Sequence, residues 1–388
     1  MSKRNDASVV HLVDELLRVA IERSASDIHV ESTPKGARVR YRIDGVLYDQ
    51  EILHPSLTAQ VVSRLKILAN INIAERRIPQ DGKFRISIDG NEVDLRVSTF
   101  PSIYGEKVVV RILDRAKNML DLDSLGFDDT KRKAFNELIH CSSGFFLVTG
   151  PTGSGKTTTL YAALSELNTP EKNIITLEDP VEYNLSGITQ GQIHPGAGFT
   201  FDKGIRAVLR QDPDVAMVGE IRDKETVQTA IEAALTGHAV FSTLHTNDAP
   251  GAIMRLMDMG VEPFLINAAV TGVLAQRLAR TICPDCKQAV SPTEQEKKVL
   301  DRLGVSLDTL YVGAGCDSCF HLGYKGRVGI FELLVMTSSL RSLIVHRPVF
   351  DAIYRQVRDD GMVTLLNDGI EKVKDGVISL QELGRVVL

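Results

Sequence analysis

Apolar residues recur at helical spacing in SVVHLVDELLRVAIER, residues 8–23, where Val9, Leu12, Val13, Leu16, Leu17, Ala20 and Ile21 form one stripe and predict an amphipathic first helix. The period then changes to two. In ARVRYRIDGVLYDQ, Val39, Tyr41 and Ile43 alternate with Arg38, Arg40 and Arg42, and Asp44-Gly45 supplies a hairpin turn. The same grammar returns in KFRISIDGNEVDLRVS, where Phe84, Ile86 and Ile88 answer Val93, Leu95 and Val97 across Asp89-Gly90. With a helix expected at about 56–70 between the hairpins, residues 1–115 read as a small α+β domain. The strand arginines form either a solvated sheet face or a basic surface that covers a nucleotide bound by the next domain.

Beyond a linker expected at 116–127 the pattern changes again. GFFLVTG, IITLEDP, VAMVGE and HAVFSTLH are short apolar runs that each end in polar or glycine-bearing residues, with helical segments between them. Such runs are strands buried on both faces, so residues 128–280 read as a parallel α/β core. From about Asn267 the chain reads as mostly helical around a cysteine-bearing insert at 281–330, with a helical region over 331–388.

The core carries GPTGSGKTT, from Gly150, Pro151, Thr152, Gly153, Ser154 and Gly155 to Lys156, Thr157 and Thr158. This satisfies the phosphate-loop spacing directly after a strand and before a helix, so backbone amides and a helix N-terminus converge on the phosphates of ATP. Lys156 is expected to reach the β- and γ-phosphates and Thr157 to place its hydroxyl on Mg²⁺. Two later strands end in acids, Glu178 with Asp179 and Glu220, and an acid at such a strand end holds Mg²⁺ or orients the attacking water. Spacing alone does not divide those roles between them. His238 and His245 frame the next strand, and His245 would face the nucleotide as a γ-phosphate sensor.

Cys283, Cys286, Cys316 and Cys319 form two C-x-x-C knuckles, which suit a closed, structural tetrahedral Zn²⁺; a redox disulfide would need one pair only. Cys141 is left over and is expected to be a small buried hydrophobe. At 388 residues, 43% hydrophobic and 24% charged, the chain has room for two or three soluble domains. Its net charge of −5, 5% aromatic content and lack of tryptophan argue against a nucleic-acid translocase. No run of 18 apolar residues and no secretory leader is present, so a cytoplasmic protein without a transmembrane segment is expected.

Together these residues resemble the GspE/PilB-like branch of the bacterial traffic ATPases. ITLEDPVEY resembles that family's Asp box, RQDPDVAMVGEIRD its Walker B region and TGHAVFSTLHTND its His box. SASDIHVE and RRIPQDGKFRI resemble signatures of the domain before the motor, and CFHLGYKGRVGIFELL the element that closes the zinc insert. The resemblance implies a RecA-like core behind a PAS-like domain, assembled as a homo-hexamer with ATP between the N- and C-terminal domains. It implies that Glu178 activates or positions water and that Glu220 is the Walker B acid supporting Mg²⁺. Arginines of the first domain would approach the γ-phosphate, with Arg85 and Arg96 the candidates.

The implied activity is ATP hydrolysis that drives assembly of a type IV pilus or a type II secretion pseudopilus through an inner-membrane platform protein. A DNA-uptake or conjugative-type pilus motor is the alternative. The four cysteines resemble assembly and secretion motors more than retraction motors. Longer members carry a further N-terminal domain that docks on a membrane-associated partner, whereas this chain begins at the domain after it, so peripheral recruitment through another surface is expected.

Overall fold

A strand that alternates apolar and charged residues needs cover on one face only. The structure, a computed structural model that describes residues 2–88, 90–113 and 121–387 with side chains from Val9 onward, supplies that cover with two helices. In chain order these elements are α1 (Ser2–Glu22), β1 (Ala25–Thr33), β2 (Gly36–Ile43), β3 (Val46–Leu53), α2 (Pro55–Leu68), β4 (Gln80–Ile88), β5 (Asn91–Ser102) and β6 (Gly105–Leu113). The sheet is antiparallel throughout, in the order β3-β2-β1-β6-β5-β4. Val13, Leu17 and Ala20 of α1 and Val61 and Leu65 of α2 are buried, as are Ile28, Val39, Tyr41, Leu95, Val97 and Val110 of the sheet. Tyr41 also donates its hydroxyl to the Leu16 carbonyl at 2.8 Å, which ties β2 to α1.

Both expected hairpins form. Asp44 and Gly45 take φ of 48° and 84°, as a type I′ turn requires; Asp89 of the second turn lies outside the described residues. The sequence reading missed β1 and β6, which lie side by side between the hairpins with Asp27 opposite Arg111. Neither completes a two-residue hairpin with the other, so no local turn signal marks their pairing. The charged face is an ion-pair lattice: Arg40 meets Glu31 at 2.8 Å, Arg38 meets Asp49 at 2.7 Å, and Arg111 meets Asp27 at 3.1 Å.

The chain divides into two compact units, the second starting at Met119. Its elements begin with α3 (Asp129–Ile139), β7 (Gly144–Thr149), α4 (Lys156–Leu167), β8 (Ile174–Glu178), β9 (Thr189–Gln192), α5 (Phe201–Val208), β10 (Val215–Val218), α6 (Lys224–Leu235) and β11 (Ala239–Leu244). Then come α7 (Ala249–Asp258), α8 (Pro263–Ala269), β12 (Val270–Ile282), β13 (Lys287–Val290), α9 (Glu294–Arg302), β14 (Leu310–Gly313) and β15 (Tyr324–Val335). Four helices close the chain: α10 (Ser338–Ile344), α11 (Phe350–Asp359), α12 (Leu365–Lys374) and α13 (Leu380–Val386).

Seven strands form one sheet in the order β15-β12-β7-β11-β10-β8-β9. Six run parallel and β15 is antiparallel at the edge. Every residue of β8, β10 and β11 is buried, because helices cover both sheet faces.

Three expectations are corrected here. The stretch after Asn267 is not mostly helical up to the cysteines: β12 spans 13 residues and, with β15, completes the sheet. VTGVLAQRLARTI is rich in Ala, Leu, Gln and Arg, which favour helix locally, but pairing to β7 on one side and β15 on the other overrides that preference. The expected linker overlaps residues 114–120, which lie outside the described residues. Its last part is packed instead of free: Leu122 and Leu125 are buried and Phe127 stacks on Phe331 at 3.9 Å between ring centroids. Cys141 is exposed, one residue past the C-cap of α3, so it is not a core hydrophobe.

Candidate nucleotide and metal sites

β7 delivers the chain to Gly150, and α4 resumes at Lys156, so the glycine-rich segment is the turn between a buried strand and a helix N-terminus. Gly150 has φ of 149°, and a β-carbon there would lie 2.5 Å from the Gln276 carbonyl oxygen, so only glycine fits. Gly155 caps α4 at φ of 88° with no side-chain acceptor, which leaves the first helical amides free for an anion. Lys156 folds back over the loop, its Nζ donating to the carbonyls of Gly150 at 2.9 Å and Pro151 at 3.1 Å. Burial lowers its pKa; the Glu220 carboxylate opposes that and the Arg277 guanidinium adds to it. Thr157 is exposed beside it on the first turn of α4, and Thr158 is half-buried.

The ends of β10 and β11 meet next to this loop. Thr149 Oγ1 accepts from the Thr246 amide at 2.9 Å, which fixes the end of β7 to the segment after β11. Thr243 Oγ1 donates to the Gly219 carbonyl at 2.7 Å, and the Ile221 amide donates to the Thr243 carbonyl at 3.1 Å, which locks β10 to β11 around Glu220. Glu220 thereby comes to 3.5 Å from His245 Nε2 and forms an ion pair with Arg222. Arg222 reaches Asp179 as well, at 3.9 Å. His238, by contrast, bonds the Ala233 carbonyl at 3.0 Å at the C-terminus of α6, a capping role.

Glu178 is nearly fully buried at the end of β8. Tyr161 of α4 donates its hydroxyl to one carboxylate oxygen, while Thr176 at 2.5 Å and Gln190 at 3.1 Å donate to the other. The Tyr161 phenol is pushed well above its usual pKa by burial and then by this carboxylate, so it stays protonated as a donor. Arg85 and Arg96 belong to the first unit and share one face of the β4–β5 hairpin, Arg85 opposite Asp94 and Arg96 opposite Lys83. Arg85 is held there by Asp94 at 2.7 Å and Glu92 at 3.0 Å.

Two residues at this site escaped the sequence reading because the strand carrying them did. Gln276 of β12 is buried and donates from Nε2 to the Ser154 carbonyl at 2.6 Å. Arg277 donates to the Asn247 carbonyl at 2.9 Å and the Gln276 carbonyl at 3.2 Å.

Farther along β12 the four cysteines come together. Cys283 follows the last residue of β12, Cys286 precedes β13, and Cys316 and Cys319 lie between β14 and β15. Three of the sulfur pairs are 3.8–3.9 Å apart and all the sulfurs lie within 4.8 Å of one another. A tetrahedral thiolate site with metal–sulfur bonds of about 2.3 Å requires sulfurs about 3.8 Å apart, whereas a disulfide needs about 2.05 Å. The amides of Gly315, Cys316 and Gly323 point at these sulfurs at 3.3 Å and stabilise thiolate charge. The tetrad can therefore hold a metal ion. Among the described residues no helix is long and apolar enough to cross a membrane.

Comparison with known proteins agrees with this geometry. Residues 2–385 match the model of the family described as Type II/IV secretion system protein. The type II secretion system ATPase E of Vibrio cholerae is 49% identical over 388 residues, all of this chain and 76% of that protein. The type IV pilus assembly ATPase PilB of Myxococcus xanthus is 47% identical over 98% of this chain and 68% of its own length. A crystal structure of the pilus retraction motor PilT with bound ADP superposes with a TM-score of 0.63 at 28% identity, covering 96% of this chain and 95% of that one. The Legionella pneumophila ATPase DotB shares the fold, with a TM-score of 0.69 at 21% identity over 96% of this chain and 94% of its own.

Proposed function

The chain belongs to the type II/IV secretion system protein family, and on that premise we propose that it is a ring-forming ATPase driving assembly of a type II secretion pseudopilus or a type IV pilus. One observation carries the reading: the phosphate loop, Glu220 and His245 converge at the ends of adjacent strands of one parallel sheet. In that geometry the loop amides and Lys156 bind the phosphates, Lys156 exchanging its two carbonyl contacts for phosphate oxygens. Thr157 and Glu220 would hold Mg²⁺, which when bound neutralises charge on the β- and γ-phosphates. His245 is positioned by Glu220 to sense the terminal phosphate. Glu178, held by Tyr161, Thr176 and Gln190, would orient the attacking water once the nucleotide rearranges that network.

Arg85 and Arg96 are proposed to approach the γ-phosphate from the first domain, which couples closure to chemistry. For Arg85 this means leaving Glu92 and Asp94, an exchange of exposed ion pairs that costs little. The cysteine tetrad binds a structural Zn²⁺. A homo-hexamer in the cytoplasm, recruited to an inner-membrane platform protein, completes the proposal. The test has two parts. Purified protein should hydrolyse ATP, with Lys156→Ala inactive. In the native host, a gene disruption is complemented with wild type or Lys156→Ala while surface fibres and exported proteins are scored together. Lost fibres restored by wild type alone identify a pilus motor, and exoproteins trapped in the periplasm identify a secretion motor. Full export and fibres in the disrupted strain would reject both.

A further inference from the structure

Arg277 stands beside the phosphate loop, and among the described residues no carboxylate pairs with it. The last β12–β7 pair is Ala275 with Thr149, so Arg277 lies just past the point where β7 gives way to Gly150. Among the described residues its guanidinium donates only to the backbone carbonyls of Asn247 and Gln276. The two acids that act on it most, Asp248 and Glu332, are turned elsewhere: Asp248 accepts the Gly251 amide at 2.7 Å, and Glu332 accepts the amides of Ala249 at 2.8 Å and Leu365 at 3.2 Å. Both carboxylates are thus committed to helix N-termini. A half-buried guanidinium held without a counter-ion is costly unless an anion joins it.

Lys156 shows the same arrangement, a cation resting on main-chain carbonyls at the lip of the loop. Arg222 and Arg85, in contrast, already hold carboxylates. We propose that Arg277 is a phosphate-binding residue supplied by the same subunit, its guanidinium leaving the Asn247 and Gln276 carbonyls to take the terminal phosphates of the nucleoside triphosphate. The assignment rests on the ATPase reading above. Two features favour the terminal phosphates over the base or sugar. The Arg277 charge acts directly on Lys156, and its partner Asn247 lies two residues beyond His245, on the side of the site where Glu220 stands. Binding would also release the Asn247 carbonyl, so nucleotide occupancy would be reported to the start of α7.

The experiment uses the full chain in a Glu220→Gln background, so that binding is read without turnover. Affinities for ATP and ADP are measured for the parent, Arg277→Gln and Arg277→Lys, together with nucleotide-free melting temperatures. Loss of an arginine from a phosphoryl site is expected to weaken ATP at least about 30-fold and ADP several-fold less, with Arg277→Lys recovering part of the difference. An unchanged ratio of ATP to ADP affinity in Arg277→Gln overturns the proposal, whether both affinities hold or both fall together as a merely structural role would make them. Wild-type protein that neither binds nor hydrolyses ATP would sink the ATPase reading itself, which separates the two failures.

Discussion

Gln276 Nε2 donates to the carbonyl oxygen of Ser154 at 2.6 Å, so a strand from late in the chain holds the middle of the phosphate loop. Gln276 is buried, and its own carbonyl oxygen is what excludes any side chain at Gly150. The loop is therefore shaped from below by β12 as much as by its own glycines. Truncation in Gln276→Ala should cost about 1–3 kcal/mol, since it strands a buried carbonyl acceptor. The expected readout is a several-degree drop in melting temperature with a raised KM for ATP. Unchanged values of both would mean that the loop keeps its shape without this contact.

Tyr161 and Glu178 form the second relationship worth testing. The phenol donates to a buried carboxylate that also accepts from Thr176 and Gln190, so Tyr161→Phe removes one of three donors and leaves the volume nearly unchanged. If this network aims Glu178 at the reaction, kcat should fall about tenfold or more while KM holds, because only the charge-oriented step is affected. Steady-state kinetics decide it, and a kcat equal to wild type would make the bond purely structural.

Metal removal should act locally before it acts globally. Cys283 directly follows Ile282, which is paired with Tyr324 at the end of the β12–β15 ladder, so the tetrad clamps that end. Cys316→Ser should abolish stoichiometric zinc in elemental analysis and lower the melting temperature. Hydrogen exchange should rise first at Ile282 and Tyr324, with the Ala275–Thr149 pairing protected longer. Wild-type zinc content in the variant would remove Cys316 from the ligand set.

Glu382 makes acid stability predictable in sign. Burial pushes its carboxyl up, but hydrogen bonds from Arg385 and Arg280, one at 2.8 Å, outweigh burial and hold it down at about 2. A carboxyl whose folded value lies below its unfolded value stabilises the fold fully above the unfolded value, and that contribution is lost as pH falls toward the folded one. The melting temperature should therefore decline from about pH 4.5 downward, and Glu382→Gln, less stable at neutral pH, should flatten that limb. A variant with the same slope as wild type would assign acid lability to other carboxylates.

Legibility in the sequence followed the range of the interactions. Local rules marked what neighbours along the chain decide: the Asp44-Gly45 turn, the helical stripe of α1, the phosphate loop between strand and helix, and the C-x-x-C spacing of the cysteines. Each depends on residues a few positions apart. They were enough to mark the phosphate loop, the cysteine tetrad and the class of the core.

What only the tertiary structure decided involves partners far apart in sequence. β1 and β6 each pair with a chain neighbour, β2 and β5, across a two-residue turn, but only the tertiary structure brings the two together at the centre of the sheet. β12 is a strand despite its Ala, Leu, Gln and Arg because β7 and β15 both offer it backbone partners. With β12 come Gln276 under Ser154 and Arg277 beside Lys156, which no spacing rule links to the loop. Likewise Glu178 and Glu220 look alike as acids at strand ends, yet one is enclosed by Tyr161 and Gln190 and the other, half-buried, pairs with Arg222 beside His245. Burial and long-range pairing set that difference, and neither is a property of the residues nearby in the chain.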